Sequence, residues 1–273
     1  MDSELRKSRG RPRGWSDKTE QNTIKSLARA MDILAYLSES PGLPLTTLAD
    51  DLGQSPATVY RVLVTLEGKG LVEFDADAQL WHIGAEAFVI GARFLRRTSL
   101  VERARPILRT LMEETGETAN LGIERDGQVL FVSQVETTAS IRAFFPPGTL
   151  SPMHSSGIGK ALLSGMDDTR QRRIIAAQGL EAFTPHTLTE PRSLIADLHA
   201  SRARGYAIDD EEKNEGMRCI AAPVFDMNGE AVAGISVSGP TSRVSRPEIE
   251  AFSRPVIEAA KALTRAIGGS TRP

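Results

Sequence analysis

The chain has 273 residues, 40% hydrophobic and 25% charged, with 33 Lys and Arg against 35 Asp and Glu for a formal net charge of -2, which suits two domains with sizeable cores. No apolar run approaches the roughly 18 residues of a membrane helix, and the polar, basic beginning is unlike a secretory leader, so a cytoplasmic protein with no membrane partner is expected. A single cysteine, Cys219, excludes an intrachain disulfide, and with His82, His154, His186 and His199 widely scattered neither a metal site nor a cofactor is expected.

Residues 1–22 carry almost no apolar side chains, which predicts disorder in isolation. Every charged residue from Arg6 to Arg13 is basic. Arg9-Gly10-Arg11-Pro12-Arg13-Gly14 resembles the AT-hook, an arm whose Gly-Arg-Pro core lies in the narrow minor groove of A·T-rich DNA. Two readings are open for Arg9, Arg11 and Arg13: insertion into that groove, or neutralisation of phosphates by a basic tail.

Over residues 23–38 the spacing of Leu27, Ala30, Met31, Leu34 and Leu37 predicts a helix that buries those side chains, and Pro41 to Pro44 ends it. Leu45, Leu48, Ala49 and Leu52 recur at helical spacing, Gly53 supplies a permissive backbone, and Ser55-Pro56 is an N-cap followed by proline at the first helical position. A second helix therefore starts at Pro56. Its apolar stripe is Val59, Val62, Leu63 and Leu66, which leaves Ala57, Thr58, Tyr60, Arg61 and Thr65 on the outer face. Small residues, hydroxyls and an arginine suit entry into a major groove, where Arg61 and Thr58 can reach base edges or phosphates. An ordinary helical hairpin with a solvated face is the alternative. The next residues favour the first reading: Gly68 and Gly70 permit a turn into Leu71-Val72-Glu73-Phe74, then a polar tip from Asp75 to Gln79, then Leu80-Trp81-His82-Ile83. Residues 23–83 thus read as a winged helix-turn-helix, with Ser55, Ala57, Thr58, Tyr60, Arg61 and Thr65 as candidate contacts to double-stranded operator DNA.

A helix over residues 84–97, apolar at Phe88, Val89, Ala92 and Phe94, is expected to connect the domains within a linker of residues 84–99; its apolar face needs a partner surface, such as a second subunit. Residues 100–115 predict another helix, closed by Gly116. The period then changes from 3.6 to 2, with strands expected at 118–124, 129–135 and 141–144 and a hairpin turn at Asp126-Gly127. A small-residue turn from Met153 opens a helix, and further helices are expected at 168–177 and 193–204. Strands follow at 206–209, 219–225 and 231–238, with Asn228-Gly229 at the last turn, and 246–267 closes the chain as an amphipathic helix. The expected fold class is α+β: an N-terminal winged helix-turn-helix, then a GAF/PAS-like α/β effector-binding domain over residues 100–268 with an antiparallel sheet, and a tail of 269–273.

Gly157-Ile158-Gly159-Lys160 fails as a phosphate-binding loop, because His154 stands where glycine is needed and Ala161 where serine or threonine is needed. It fails as a dinucleotide fingerprint at Leu162. Two readings remain: free amides at this helix start hold a small anion such as a carboxylate, or the glycines merely allow tight packing. Cys219 with His154 as base would make a cysteine-dependent enzyme of small acids, but a lone cysteine among Ile220, Ala221 and Ala222 is more often inert, and no Gly-x-Ser-x-Gly elbow occurs. Ser236 and Ser238 lie two apart, so both hydroxyls share one strand face; they are paired donors if it lines a cavity and idle if it is solvated.

Together these residues resemble the IclR family of bacterial transcription regulators over residues 23–268. The resemblance rests on Met153-His154-Ser155-Ser156-Gly157-Ile158-Gly159-Lys160-Ala161, Gly205-Tyr206-Ala207-Ile208-Asp209-Asp210-Glu211-Glu212, Arg218-Cys219-Ile220-Ala221-Ala222-Pro223-Val224-Phe225-Asp226 and Gly234-Ile235-Ser236-Val237-Ser238-Gly239-Pro240. It implies a winged helix-turn-helix with an effector domain, assembly into dimers or tetramers, and binding to palindromic promoter sites rather than catalysis. The glyoxylate-responsive members look most similar. Carried over by motif, effector contacts fall on the amides of Gly157 and Ile158, on Asp209 and Cys219, and on the hydroxyls of Ser236 and Ser238. Glyoxylate is the implied effector, with an aromatic or other small carboxylic acid as the alternative. Ile158 departs from the pattern, since related sensors often carry alanine there.

Overall fold

The computed structural model of the protein describes residues 23–97 and 99–270, so the expectation for Arg9, Arg11 and Arg13 lies outside the described residues. The chain divides between Arg93 and Phe94 into two units.

In the first unit, α1 (Lys25–Ser38), α2 (Leu45–Asp51) and α3 (Pro56–Glu67) precede a hairpin of β1 (Val72–Asp75) and β2 (Leu80–Ile83). The Ser55 side chain caps α3 by accepting from the Thr58 amide, with Pro56 in the first turn. Gly53 ends the preceding turn at φ +59, in the left-handed region where a Cβ is penalised. Leu43 pairs with Trp81, their amides and carbonyls 3.0 and 2.9 Å apart, and so fastens the wing to the α1–α2 connection. Ile33, Leu37, Leu48, Val59, Leu63, Leu66, Val72 and Trp81 form the buried core.

The expected face of α1 is corrected. Leu27 and Met31 are 57% and 52% exposed, while Ile33 is fully buried. The helix carries two overlapping apolar stripes, and the one containing Ile33 and Leu37 meets the core. Similarly, Phe88 and Ile90 on α4 (Ala85–Arg97) stand 76% and 52% exposed.

The second unit is built on a six-stranded sheet in the order β5-β4-β3-β8-β7-β6, with every neighbouring pair antiparallel. Its strands are β3 (Thr118–Arg125), β4 (Gln128–Val135), β5 (Leu150–Pro152), β6 (Ala207–Asp210), β7 (Met217–Phe225) and β8 (Ala231–Pro240). Asp126 and Gly127, at φ 53 and 80, make the tight turn between β3 and β4. Alternation along β7 sends Ile220, Ala222 and Val224 to one face, against α5 (Ser99–Thr115) and α9 (Ile249–Ala266). Ala221 points to the other, packed with α6 (Gly157–Gly165) and α8 (Pro191–Arg204). α7 (Asp168–Gln178) adds Ile175 to that second core.

No strand forms over residues 141–144. Ile141 and Phe144 are exposed, Pro146 and Pro147 cannot donate to a ladder, and the edge beside β4 is taken by β5, which pairs Leu150 with Leu130. Residues 246–248 form a single 3-10 turn ahead of α9.

Candidate functional site

Strand register brings a row of polar side chains together. Asp209 lies opposite Cys219, Cys219 opposite Ser238, and Ser238 opposite Thr118; two residues along, Ser236 lies opposite Asn120 and Asn120 opposite Gln134. Directly opposed side chains share a sheet face, so these groups collect on the α6 side. The Gln134 amide donates to Asn120 Oδ1 at 3.0 Å, and Asn120 Nδ2 donates to Ser236 Oγ and Ser238 Oγ at 3.3 Å each. Because both serine oxygens accept, their protons are left to donate onward.

The start of α6 closes over this row. Ser156 caps the helix by accepting from the Gly159 amide at 3.3 Å. A Cβ on Gly157 would sit 2.6 Å from Cys219 Sγ, so only glycine lets the helix start press against β7. Ile158 fits because Gly122 and Gly234 lie beneath it, where added Cβ atoms would come within 3.1 and 2.8 Å of its Cγ2. Gly157, Ile158, Asp209, Cys219 and Ser238 line one hollow together with Phe131, Phe145, Ser151, Ser155, Ser156 and Lys213. Ser236 does not line it; it stands behind, joined through Asn120. The hollow offers about 20 Å³ to the centre of a water-sized sphere, room for about one water.

Its electrostatics are unusual. Burial, reinforced by Glu212, pushes the Asp209 carboxyl up to about 7, although its Oδ1 accepts from the Glu212 amide at 2.8 Å. Burial and the neighbouring Asp209 push the Cys219 thiol up to about 11, which leaves it protonated and a poor nucleophile. Burial also lowers His154, whose Nε2 lies 2.9 Å from the Glu181 carbonyl oxygen, not on Cys219.

Below the hollow, Lys160 is 1% exposed and reaches Glu212 Oε1 at 2.5 Å and Asp197 Oδ2 at 2.9 Å. Burial opposes its charge, but Glu212 and Asp197 outweigh that and hold the ammonium charged. Glu212 itself is raised, since its own burial exceeds the help from Lys160.

Asn120, Gln134, Ser155, Lys160 and Lys213 were not singled out from sequence. Asn120 had a signal, its place two residues after Thr118 on one face of a strand; Lys160 pairs with a residue 52 positions away and had none.

A larger cavity, about 370 Å³, lies among α6, α8, α9 and β7, walled by Ala222, Pro223, Phe225, Ile257 and Ala260. Its polar groups are already engaged: Arg202 donates to the Ser164 and Met166 carbonyls at 2.7 Å, Lys261 pairs with Glu258, and Thr264 Oγ1 accepts from the Phe225 amide. The small hollow, with its convergent donors and strongly perturbed carboxyl, is the better candidate for a ligand site despite its size.

In the first unit, Ser55, Ala57, Tyr60, Arg61 and Thr65 are exposed on α3 and Thr58 is half-buried. Ser55 Oγ and Thr58 Oγ1 are 2.9 Å apart, and Thr65 Oγ1 donates to the Arg61 carbonyl at 2.7 Å, so these hydroxyls have local partners. Arg29 and Arg61 flank a groove of about 520 Å³ between α1 and α3, and neither is in a salt bridge among the described residues. The wing tip is acidic: Asp75 Oδ1 accepts from the Asp77 and Ala78 amides, with the Asp77 carboxylate beside it.

Residues 26–76 match the IclR helix-turn-helix domain and residues 92–265 match the bacterial transcriptional regulator IclR C-terminal domain. The chain belongs to the IclR family of bacterial transcriptional regulators. It is 54% identical to the HTH-type transcriptional regulator BhcR of Paracoccus denitrificans over 97% of this chain and 95% of that one. It is 39% identical to the transcriptional repressor IclR of Escherichia coli, covering 96% of each. The crystal structure of the Thermotoga maritima IclR superposes with a TM-score of 0.77 at 30% identity, over 90% of this chain and all of that one. As an IclR protein it is a ligand-responsive regulator that binds DNA, not an enzyme, and its two-part α+β architecture is that of the family.

Proposed function

We propose that this IclR protein senses glyoxylate and, in response, changes its grip on operator DNA beside a metabolic operon. The observation that carries the sensing half is the hollow shared by Gly157, Ile158, Asp209, Cys219 and Ser238. Glyoxylate offers a carboxylate to the amides at the start of α6 and to the serine donors, and an aldehyde or hydrated diol to Asp209. Glyoxylate needs the smaller opening of a hollow that holds about one water, whereas an aromatic ring would also have to displace Ile158 and the stacked Phe131–Phe145 pair, whose centroids are 4.9 Å apart. Ser236 acts through Asn120, holding Ser238 in register.

On the DNA side, Arg61 and Tyr60 enter the major groove from α3, with Ala57 allowing close approach and Ser55, Thr58 and Thr65 contributing polar edges at the groove wall. Residues 1–22 act as a basic arm, 23–83 as the DNA-binding domain, 84–99 as the linker and 100–268 as the sensor. The exposed apolar residues Leu27, Met31, Phe88 and Ile90 support self-association as a dimer or tetramer on a palindromic site, in the cytoplasm. Effector binding would bias the spacing of paired DNA-binding domains.

Calorimetric titration tests the ligand. Glyoxylate should release or absorb heat and raise the melting temperature; silence in both at millimolar ligand would remove it. For DNA, Arg61→Ala should abolish a gel shift on the protein's own upstream region while leaving the melting temperature unchanged, and a retained shift would refute the role of α3.

A further inference from the structure

The hollow has a charge problem. A carboxylate effector brings a negative charge into a space walled by the Asp209 carboxyl, which burial already pushes up to about 7; beside a bound anion Asp209 can ionise only against strong repulsion where water is scarce. Amide and hydroxyl dipoles lower that repulsion without supplying a positive charge. A counter-ion is needed, and most cations nearby are committed. Lys160 is held by Glu212 and Asp197, and Arg218 by Asp210 and Glu211.

Lys213 is the one cation among the described residues that line the hollow. It sits on the β6–β7 turn, immediately after Glu212, and its Nζ lies 3.2 Å from the centre of the Phe183 ring, which stacks on His154. It forms no salt bridge within 4 Å among the described residues. The turn that carries it is firmly fixed: Thr184 Oγ1 donates to the Glu211 carbonyl at 2.7 Å and Thr187 Oγ1 to the Glu212 carbonyl at 2.6 Å. The side chain can therefore swing while its backbone stays in place. Ser155, which also lines the hollow, has a fully buried Oγ with no hydrogen-bond partner, which is rare for a buried hydroxyl unless a ligand or water completes it.

We propose that Lys213 is the counter-ion for the effector's carboxylate: on binding, its ammonium leaves the Phe183 ring and closes on the carboxylate, while the Ser155 hydroxyl donates to it. The cation–π contact it gives up is weak beside a charge-assisted hydrogen bond in a water-poor site, so the exchange is favourable once an anion is present. Burial already works against the free ammonium, with only Glu181 and Asp209 as partial compensation, and an incoming anion relieves that penalty. The hollow thereby discriminates for acids over uncharged aldehydes of the same size. This assignment rests on the small-carboxylate reading given above.

The test is calorimetry on the full chain with glyoxylate as probe, comparing wild type with Lys213→Met, Lys213→Arg and Ser155→Ala. Lys213→Met should weaken binding about 10- to 100-fold, the range expected for losing one charge-assisted contact. Lys213→Arg should restore it to within about threefold of wild type, and Ser155→Ala should give a smaller loss, about 3- to 10-fold, for one neutral donor. Melting of the unliganded variants should match wild type, since the changed side chain lies on a turn held by backbone bonds; if Lys213→Met melts early, Lys213→Gln takes its place in the comparison. No heat with wild type would overturn the carboxylate reading itself. Wild-type binding with Lys213→Met within twofold would overturn only the counter-ion.

Discussion

Asp209 makes the stability of the effector domain depend on pH in a direction opposite to that of most carboxylates. Its carboxyl is pushed up to about 7 by burial and by Glu212, whereas in the unfolded chain it would ionise near 3.9, so the folded state holds a proton that the unfolded state has already lost. Stability therefore falls as pH rises through the interval between those values. The full penalty above pH 7 is about 4 kcal/mol, of which about 3 kcal/mol accrues between pH 5 and pH 8. Asp209→Asn removes the titration and keeps an Oδ1 that can accept from the Glu212 amide, now at 2.8 Å. Thermal melts of both proteins from pH 5 to pH 8 isolate the effect, because His154 and every other titrating group are common to the two. The wild type should lose about 6–12 °C more than Asp209→Asn across that range, for a unit of this size. Parallel melting profiles would mean that Asp209 ionises alike in the folded and unfolded chain.

Ser55→Ala removes the cap on α3 and should lower its stability by about 1 kcal/mol in a denaturant melt; no change would mean that Pro56 alone starts the helix. Asp77→Lys at the acidic wing tip should tighten non-specific DNA binding and steepen its salt dependence by about one counter-ion, whereas an unchanged slope would place the tip away from phosphates. Deleting residues 1–14 should reduce affinity chiefly on A·T-rich flanks; equal loss on all flanks would mean charge neutralisation by Arg9, Arg11 and Arg13.

Features written in short stretches were legible in the sequence. Ser55-Pro56 announced α3, Asp126-Gly127 announced the tight turn, and alternation placed Ser236 and Ser238 on one face. The side of α1 that meets the core was not, because Leu27 and Met31 obey the same period as Leu34 and Leu37 and only tertiary packing chooses between the stripes. The false strand at 141–144 came from apolar residues with no ladder available to them. The hollow was half legible. Motif positions such as Gly157 and Asp209 could be named, but Asn120 meets Ser236 across 116 residues and Lys160 meets Glu212 across 52, pairings that sheet register and helix placement create and that no local pattern encodes. Lys213 was hidden as one charge in a polar turn until the ring of Phe183 showed where it points.

The most direct measurement is a gel shift on the promoter adjacent to the gene, titrated with glyoxylate and with larger carboxylates. Glyoxylate should move the protein–DNA midpoint while a bulky aromatic acid leaves it in place. An identical midpoint with and without saturating glyoxylate would contradict glyoxylate sensing.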